Sequence, residues 1–296
     1  MREVSKGQAF GLLVFTFFIW GSVYVAGKLI ADAVPPGLLA CLRCCSAMIP
    51  LLFMSRNYIG KVKIDRSDLK YFAVVGLMGY FLTIFCIQSA ISLTGASMAA
   101  LINALTPVSV TILAALILKE RITPVKAVCL VLALAGAAVI TQGAGTQGEV
   151  MGMIVALISV IFWGFASVYM RRLTAKYPPV LVTTLGMAIS LIGHIPVGIV
   201  SAVNQPVTIN WTVVLVVLYL GFFGSGVAQF TWVKCLSALP ASTCSLFYPL
   251  QPVFSALLGA AILGETFTSA FFIGLVLISI DVALSTWETS RLSAKP

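Results

Sequence analysis

The chain is a succession of long apolar runs separated by short polar connections. Most runs contain roughly 17 to 25 residues, the length that a helix needs to cross the hydrocarbon core of a bilayer. The pattern predicts ten membrane-spanning helices, at about 8–30, 37–54, 69–93, 96–118, 124–141, 150–170, 179–203, 211–236, 241–263 and 269–287. The runs lack the alternation of barrel strands, and lipid offers no partner to free backbone N–H and C=O groups. The sequence therefore predicts an all-α polytopic membrane protein.

The two halves of the chain carry similar motifs near their first apolar runs. Trp20 opens the stretch Trp-Gly-Ser-Val-Tyr-Val-Ala-Gly-Lys, and Trp163 opens Trp-Gly-Phe-Ala-Ser-Val-Tyr-Met-Arg. A proline pair begins at Pro35 after the first stretch and at Pro178 after the second, at the same distance from each tryptophan (35 − 20 = 178 − 163 = 15). Such self-similarity at a fixed offset indicates an internal duplication.

A second pair of segments supports the duplication. Residues 76–123 return as residues 221–268 at an offset of 145 (221 − 76 = 145). We therefore expect two five-helix repeats, at 1–143 and 144–296. Because five is odd, the second repeat must enter the membrane inverted with respect to the first. Inverted repeats around a site at the bilayer midplane are typical of secondary transporters.

Composition and charge agree with a membrane location. Hydrophobic residues make up 60% of the chain and charged residues only 9%, with a mean hydropathy of +1.08, so too few charged residues remain for a water-facing surface. Apart from Lys28 and Arg43, the Lys and Arg residues lie in one set of alternate connections or in the tails on the same side. This bias predicts that both termini are cytoplasmic. The net charge of +9 is thus a topology signal, and we expect no nucleic-acid partner.

Motifs for cofactors and metals are weak. Cys41 and Cys44 form C-x-x-C inside an apolar run, without a second pair or other ligands nearby, and no P-loop pattern is present. We expect no cofactor, no bound metal and no catalytic residue. The expected partners are a small-molecule substrate and the lipid bilayer, with the protein acting as a monomer.

The duplicated motifs carry a resemblance to a known family. Each half has Trp-Gly near its first helix, a proline in its fourth helix, Pro107 or Pro252, and a glutamate that closes that helix, Glu120 or Glu265. In these features the chain resembles the EamA-type exporters of the drug/metabolite transporter superfamily, and most of all the YddG-type aromatic amino-acid exporters. The resemblance implies a basket of helices around a central cavity in the bacterial inner (plasma) membrane, exporting amino acids and related metabolites.

Polar and aromatic side chains well inside the runs are the candidate lining of this cavity, because buried polar groups in a membrane are costly unless they meet a partner or a wet cavity. The candidate substrate-binding residues are Trp20, Tyr24, Tyr80, Asn103, Trp163, Ser245, Tyr248 and Gln251. Rings with a few amides and hydroxyls suit an aromatic or large neutral amino acid, which stacks on the rings and hydrogen-bonds at its polar end. Trp232, by its position, suits an interfacial belt or helix packing.

Other intramembrane residues leave alternatives open. Pro107 and Pro252 are candidate hinges for gating, although a static kink explains them equally. Asp281 couples transport to protons if it is buried, whereas a small shift of the span boundary places it near the headgroups. His194 is either a proton carrier or a hydrogen-bonding group against a neighbouring helix, and the second reading is favoured. For Arg43 we expect the long side chain to carry the charge outward; the alternative is a contact with a carboxylate of the solute.

Two competing functions remain at this stage. A proton-coupled drug or quaternary-amine exporter would use the aromatic lining through cation–π contacts. An integral membrane enzyme that modifies lipids would need a catalytic constellation at one membrane face, and the sequence shows none. The sequence therefore favours a transporter over an enzyme.

Overall fold

The structure is a computed structural model. It describes residues 6–119, 147–245, 247–248 and 250–267, together with single positions and pairs between 124 and 131 and between 269 and 284. All regular elements in these residues are helical: α1 (Lys6–Leu29), α2 (Pro36–Ser55), α3 (Arg66–Thr94), α4 (Ala96–Leu118), α5 (Gln147–Thr174), α6 (Pro179–Asn204), α7 (Trp211–Ala238), α8 (Ala241–Ser245) and α9 (Leu250–Leu263).

Helices α1 to α7 are each long and apolar enough to cross a membrane, and α9 is a shorter apolar helix. About half of each of the seven spans is buried inside the protein, so the remainder is an apolar surface suited to lipid. The prediction of an all-helical multi-pass membrane protein is confirmed. The structure describes only scattered positions of the predicted spans 124–141 and 269–287, so the count of ten helices stays a prediction.

The span α4 and the predicted span 241–263 are both interrupted. Within α4, the helix Ala96–Asn103 ends in a turn, and a new helix starts at Thr106 with Pro107 in its first turn. Between α8 and α9, Phe247 and Tyr248 lie in a turn, and Pro252 falls in the first turn of α9. A proline is well tolerated in a first turn because its missing N–H would have no partner there. Breaks inside a bilayer occur where the backbone faces protein or a cavity.

Helices α3 and α7 each contain a π-helical segment, Val74–Leu82 and Leu220–Val227. Glycines in both segments lie against another helix. A Cβ atom at Gly76 would come within 2.6 Å of Ile189 in α6, and one at Gly221 within 2.6 Å of the carbonyl oxygen of Arg43 in α2. Small residues therefore let these segments approach their neighbours closely, as is common in membrane helix packing.

The glycines of the two Trp-Gly motifs also allow close packing of helices. A Cβ atom at Gly21 would lie 2.7 Å from Cβ of Phe254, so α1 packs directly on α9. A Cβ atom at Gly164 would lie 3.0 Å from Cβ of Ser109, so α5 packs directly on the second part of α4. Each glycine thus seats its helix against an interrupted span, and the adjacent tryptophan faces the centre of the protein.

Candidate functional site

A cavity lies at the centre of the helices and is bounded by side chains from α1, α2, α3, α4, α5, α7 and α9. Six of the eight predicted substrate-binding residues line it: Trp20, Tyr24, Asn103, Trp163, Tyr248 and Gln251. The cavity has room for about 40 Å³, enough for a few water molecules but far below the roughly 300 Å³ or more of a ligand pocket. A cavity of this size does not hold a metabolite unless the helices around it separate.

Aromatic rings form most of the wall. Trp20 meets Trp163 edge to face with ring centroids 5.8 Å apart, and Tyr248 lies 6.1 Å from Trp20. Trp163 Nε1 donates a hydrogen bond to the Tyr248 hydroxyl, and Trp20 Nε1 donates to the carbonyl oxygen of Gly224 at 3.2 Å. Both indole N–H groups are thus satisfied inside the protein. Their partners hold the rings in fixed orientations at the edge of the cavity.

The two interrupted spans meet at the cavity through their amides. Asn103, the last residue before the break in α4, donates from Nδ2 to Oε1 of Gln251, the second residue of α9, at 3.2 Å. The carbonyl oxygen of Asn103 accepts a hydrogen bond of 2.6 Å from the Thr106 hydroxyl. The break in α4 is therefore bridged by a side chain, and the two breaks are tied to one another.

A third amide reaches the cavity from α7. Gln229 is 5% exposed and lines the cavity, and its Oε1 atom has no hydrogen-bond partner among the described residues. An unpaired buried carbonyl is costly, so this atom is available to a donor that enters the cavity.

Arg43 lines the same cavity, which corrects the expectation that its side chain extends outward. The residue is only 4% exposed, and its Nε donates to the hydroxyl of Ser225 at 2.9 Å. Its Nη1 makes a longer contact of 3.4 Å with Oε1 of Gln88. The guanidinium is held inward by partners on α7 and α3, and sequence alone does not show which face of α2 those helices cover.

Two predicted binding residues are buried but do not line the cavity. Tyr80 is fully buried and packs against Trp163 with ring centroids 6.2 Å apart, but it does not line the cavity. Ser245 is fully buried at the end of α8 and does not line the cavity either. Trp232 is also fully buried and lies 5.6 Å from Trp20, so it is a packing residue of the same aromatic cluster.

Of the two candidate proton carriers, the structure describes His194 but not Asp281. His194 is fully buried in α6, and its Nε2 lies 3.2 Å from the carbonyl oxygen of Tyr80 in the π-helical segment of α3. This contact is of the kind expected for a histidine that hydrogen-bonds a neighbouring helix, and His194 does not line the cavity. Asp281 lies outside the described residues.

Polar contacts connect residues of the two halves of the chain near both ends of α3. At its start, Asp68 accepts hydrogen bonds from Lys176 Nζ at 2.9 Å and from the Tyr177 hydroxyl at 2.8 Å. The hydrogen bond that Lys176 donates to Asp68 raises the pKa of Lys176, so the ammonium group of Lys176 stays charged. Beyond the other end of α3, Glu265 accepts from the backbone N–H of Ala96 at 3.2 Å and from the Ser97 hydroxyl.

Sequence reasoning did not place the apolar residues and the threonine of the wall, which are Val23, Thr83, Ile84 and Ile87. Thr83 and Ile84 directly follow the π-helical segment of α3, and Ile87 lies one turn further along the helix. The wider turn of the π-helical segment rotates the helix that follows it. The α-helical period of the sequence therefore does not predict which of these side chains point into the cavity.

Comparison with known proteins finds a matching family model, similar sequences and a similar solved structure. The model of the EamA-like transporter family matches residues 8–142 and again residues 150–287. An uncharacterized transporter of Clostridium kluyveri is 26% identical, covering 94% of this chain and 92% of its own length. The uncharacterized inner membrane transporter YedA of Escherichia coli K12 is 26% identical, covering 100% of this chain and 96% of its own length. One solved crystal structure superposes with a TM-score of 0.72 at 23% identity, over 98% of this chain and 100% of that one.

Proposed function

The chain belongs to the EamA-like transporter family, and from this premise we propose that it exports amino acids with aromatic or large apolar side chains, and related metabolites. These relatives are uncharacterized transporters, so the family supports transport, and the argument for a substrate class comes from the residues of the cavity. The proposal includes the YddG-type specificity, a bacterial inner-membrane location and cytoplasmic termini.

The proposed architecture is two inverted five-helix repeats. The family model matches once in each half of the chain, which supports the duplication. The interrupted spans α4 and α8–α9 occupy corresponding places at the offset of 145, with Pro107 and Pro252 at the same point of each. Discontinuous helices at the interface of inverted repeats are where secondary transporters bind their substrates.

The observation that carries the substrate class is the meeting of Trp20 and Trp163 in the cavity wall, beside the amides of Asn103, Gln229 and Gln251. Indole faces bind flat apolar side chains through stacked or edge-to-face contacts. The amides offer donors and acceptors to the polar end of the solute. An aromatic amino acid matches both parts of the wall.

Transport then requires opening at one face at a time. The cavity is contracted and both ends of α3 carry polar contacts between the two halves, which supports a state closed at both faces. Separation of the halves at one face would widen the cavity and expose it to one side, and the opposite movement would release the solute. The proposal is therefore alternating access around a fixed central site.

The test is uptake of labelled phenylalanine or tryptophan into liposomes that contain the purified protein, with and without a pH gradient. Trp163→Ala removes one ring of the wall, and Trp211→Ala is the matched control because Trp211 is 82% exposed at the start of α7. We expect saturable uptake that the first variant loses and the second keeps. Uptake no greater than in empty liposomes would reject amino-acid export, and uptake of tetraphenylphosphonium in its place would favour the drug exporter.

A further inference from the structure

Arg43 is a positive charge at the middle of a membrane protein, and the substrate contacts proposed above do not include it. Its side chain lines the central cavity, and the residue is 4% exposed. The two ion pairs found among the described residues both belong to Lys176 and lie at the start of α3, so neither involves Arg43. Intramembrane charges are costly and mark substrate or ion pathways by default.

The hydrogen bonds of Arg43 fix the orientation of its guanidinium but use only some of its N–H groups. An arginine carries five N–H donors. One, on Nε, bonds Ser225 at 2.9 Å, and one on Nη1 reaches Gln88 at 3.4 Å. These two are the side-chain hydrogen bonds that Arg43 makes with the described residues, so they use two of its five N–H groups. Two nitrogens with free N–H groups side by side are the arrangement that binds a carboxylate through two parallel hydrogen bonds.

The corresponding place in the other half carries no charge. The offset that relates Trp20 to Trp163 (163 − 20 = 143) relates Arg43 to Gly186, and the offset of 145 relates Tyr80 to Ser225. Arg43 contacts Ser225, and a Cβ atom at Gly186 would lie 2.8 Å from the ring of Tyr80. In both pairs a long side chain faces a small residue. The long side chain is the cation Arg43 in one pair and the phenol Tyr80 in the other. The cavity is therefore polarised toward α2.

We propose that Arg43 is the anchor for a carboxylate of the transported solute, held by its free N–H groups while Ser225 and Gln88 fix its orientation. The inference rests on the proposed function and narrows it to solutes that carry a carboxylate, with their apolar part against the rings of Trp20 and Trp163. The unpaired Oε1 of Gln229 accepts a hydrogen bond from the ammonium group when the solute is an amino acid. A permanently cationic solute is disfavoured because the same wall repels it.

The experiment compares matched ligands on the purified full-length protein. The ligands are phenylalanine, 3-phenylpropionate, which lacks the amine, and phenethylamine, which lacks the carboxylate. Binding is followed by the rise in melting temperature in detergent, and transport by competition with labelled phenylalanine in liposomes. We expect both carboxylates to bind and phenethylamine to bind at least about 10-fold more weakly, the scale of a hydrogen bond to a charged group.

Variants test whether the preference belongs to Arg43. Arg43→Gln should weaken phenylalanine binding roughly 10- to 100-fold and abolish the preference over phenethylamine, and Arg43→Lys should retain part of it. The control is Arg56→Gln, because Arg56 lies over the ring of Phe53 at the end of α2 and is exposed. Should Arg43→Gln fail to fold, the Lys variant and the ligand series on the unaltered protein still decide the question.

The outcomes separate this inference from the proposed function. Binding of 3-phenylpropionate that depends on Arg43, without binding of phenylalanine, would support the anchor and reject amino-acid export. Transport of phenylalanine with equal binding of phenethylamine would support amino-acid export and overturn the anchor. Binding of none of the carboxylates would overturn both.

Discussion

Asn103 and Gln251 form the contact that ties together the breaks of the two interrupted spans. A hydrogen bond between helices inside a membrane contributes about 0.6 kcal/mol on average and seldom more than about 1.7 kcal/mol. We expect Asn103→Ala and Gln251→Ala to show a coupling energy in that range. The check is a double-mutant cycle on unfolding without ligand. A coupling near zero would show that the two residues contribute independently and would remove the link between the breaks.

His194 allows the structural role to be separated from proton transfer. Its Nε2 reaches the carbonyl oxygen of Tyr80 at 3.2 Å, which requires the tautomer with the proton on Nε2. A glutamine side chain places an N–H donor near the same position and does not titrate. We therefore expect His194→Gln to keep both transport and its pH profile, and His194→Leu to lower the melting temperature because the carbonyl loses its partner. Loss of the pH dependence alone in His194→Gln would instead assign the proton to His194.

Site residues were predictable from the sequence where the same residue type occurs at corresponding positions of the two halves. Trp20 and Trp163 stand at equal places in the two halves, and both line the cavity. The direction of Arg43 was not predictable, because its main partner Ser225 is distant in sequence and reaches it only through the packing of α7 on α2. The same holds for Tyr80, which faces Gly186 and does not line the cavity.

At the scale of helices, the Trp-Gly motifs act through packing. A methyl group at Gly21 would meet Phe254 Cβ at 2.7 Å and the carbonyl oxygen of Gln251 at 2.9 Å, and both belong to α9. Backbone and Cβ atoms cannot move aside alone, so α1 and α9 would have to separate. Overpacking of this kind costs roughly 1–3 kcal/mol.

We therefore expect Gly21→Ala to lower the melting temperature and to reduce transport by displacing the ring of Trp20. The matched control is Gly11→Ala in the same helix, because a Cβ atom at Gly11 would meet nothing within 4 Å. That substitution should be neutral or slightly stabilising, since alanine favours a helix over glycine. Equal melting temperatures for the two variants would contradict the close packing of α1 on α9.

The boundaries of the described spans followed from the sequence because the bilayer fixes the length of apolar helix, but their internal irregularities did not. The run 241–263 was expected as one helix, and the structure divides it into α8 and α9. The π-helical segments of α3 and α7 were not foreseen, because such turns depend on how neighbouring helices meet them. Each segment has a backbone carbonyl contacted by a side chain of another helix, Tyr80 by His194 and Gly224 by Trp20.

At the scale of the whole molecule, the two sets of polar contacts join the two predicted repeats at opposite faces. Asp68 stands at the start of α3, and Ala96 follows its end after one glycine. A helix of this length, Arg66–Thr94, extends about 40 Å and crosses the bilayer, so the contacts of Asp68 with Lys176 and of Ser97 with Glu265 lie on different sides. If access alternates, each set must break while the other holds.

Cross-links across each face test this requirement. One variant carries Asp68→Cys with Lys176→Cys and another Ser97→Cys with Glu265→Cys, both in a background without the native cysteines. A short, reducible bis-methanethiosulfonate linker should stop transport in either variant, because a transporter that cannot open one face cannot complete its cycle. Reduction should restore the rate, and the four single-cysteine variants treated alike should keep it. Continued transport with one face fully cross-linked would contradict alternating access and require a path for the solute that does not pass between the two halves at that face.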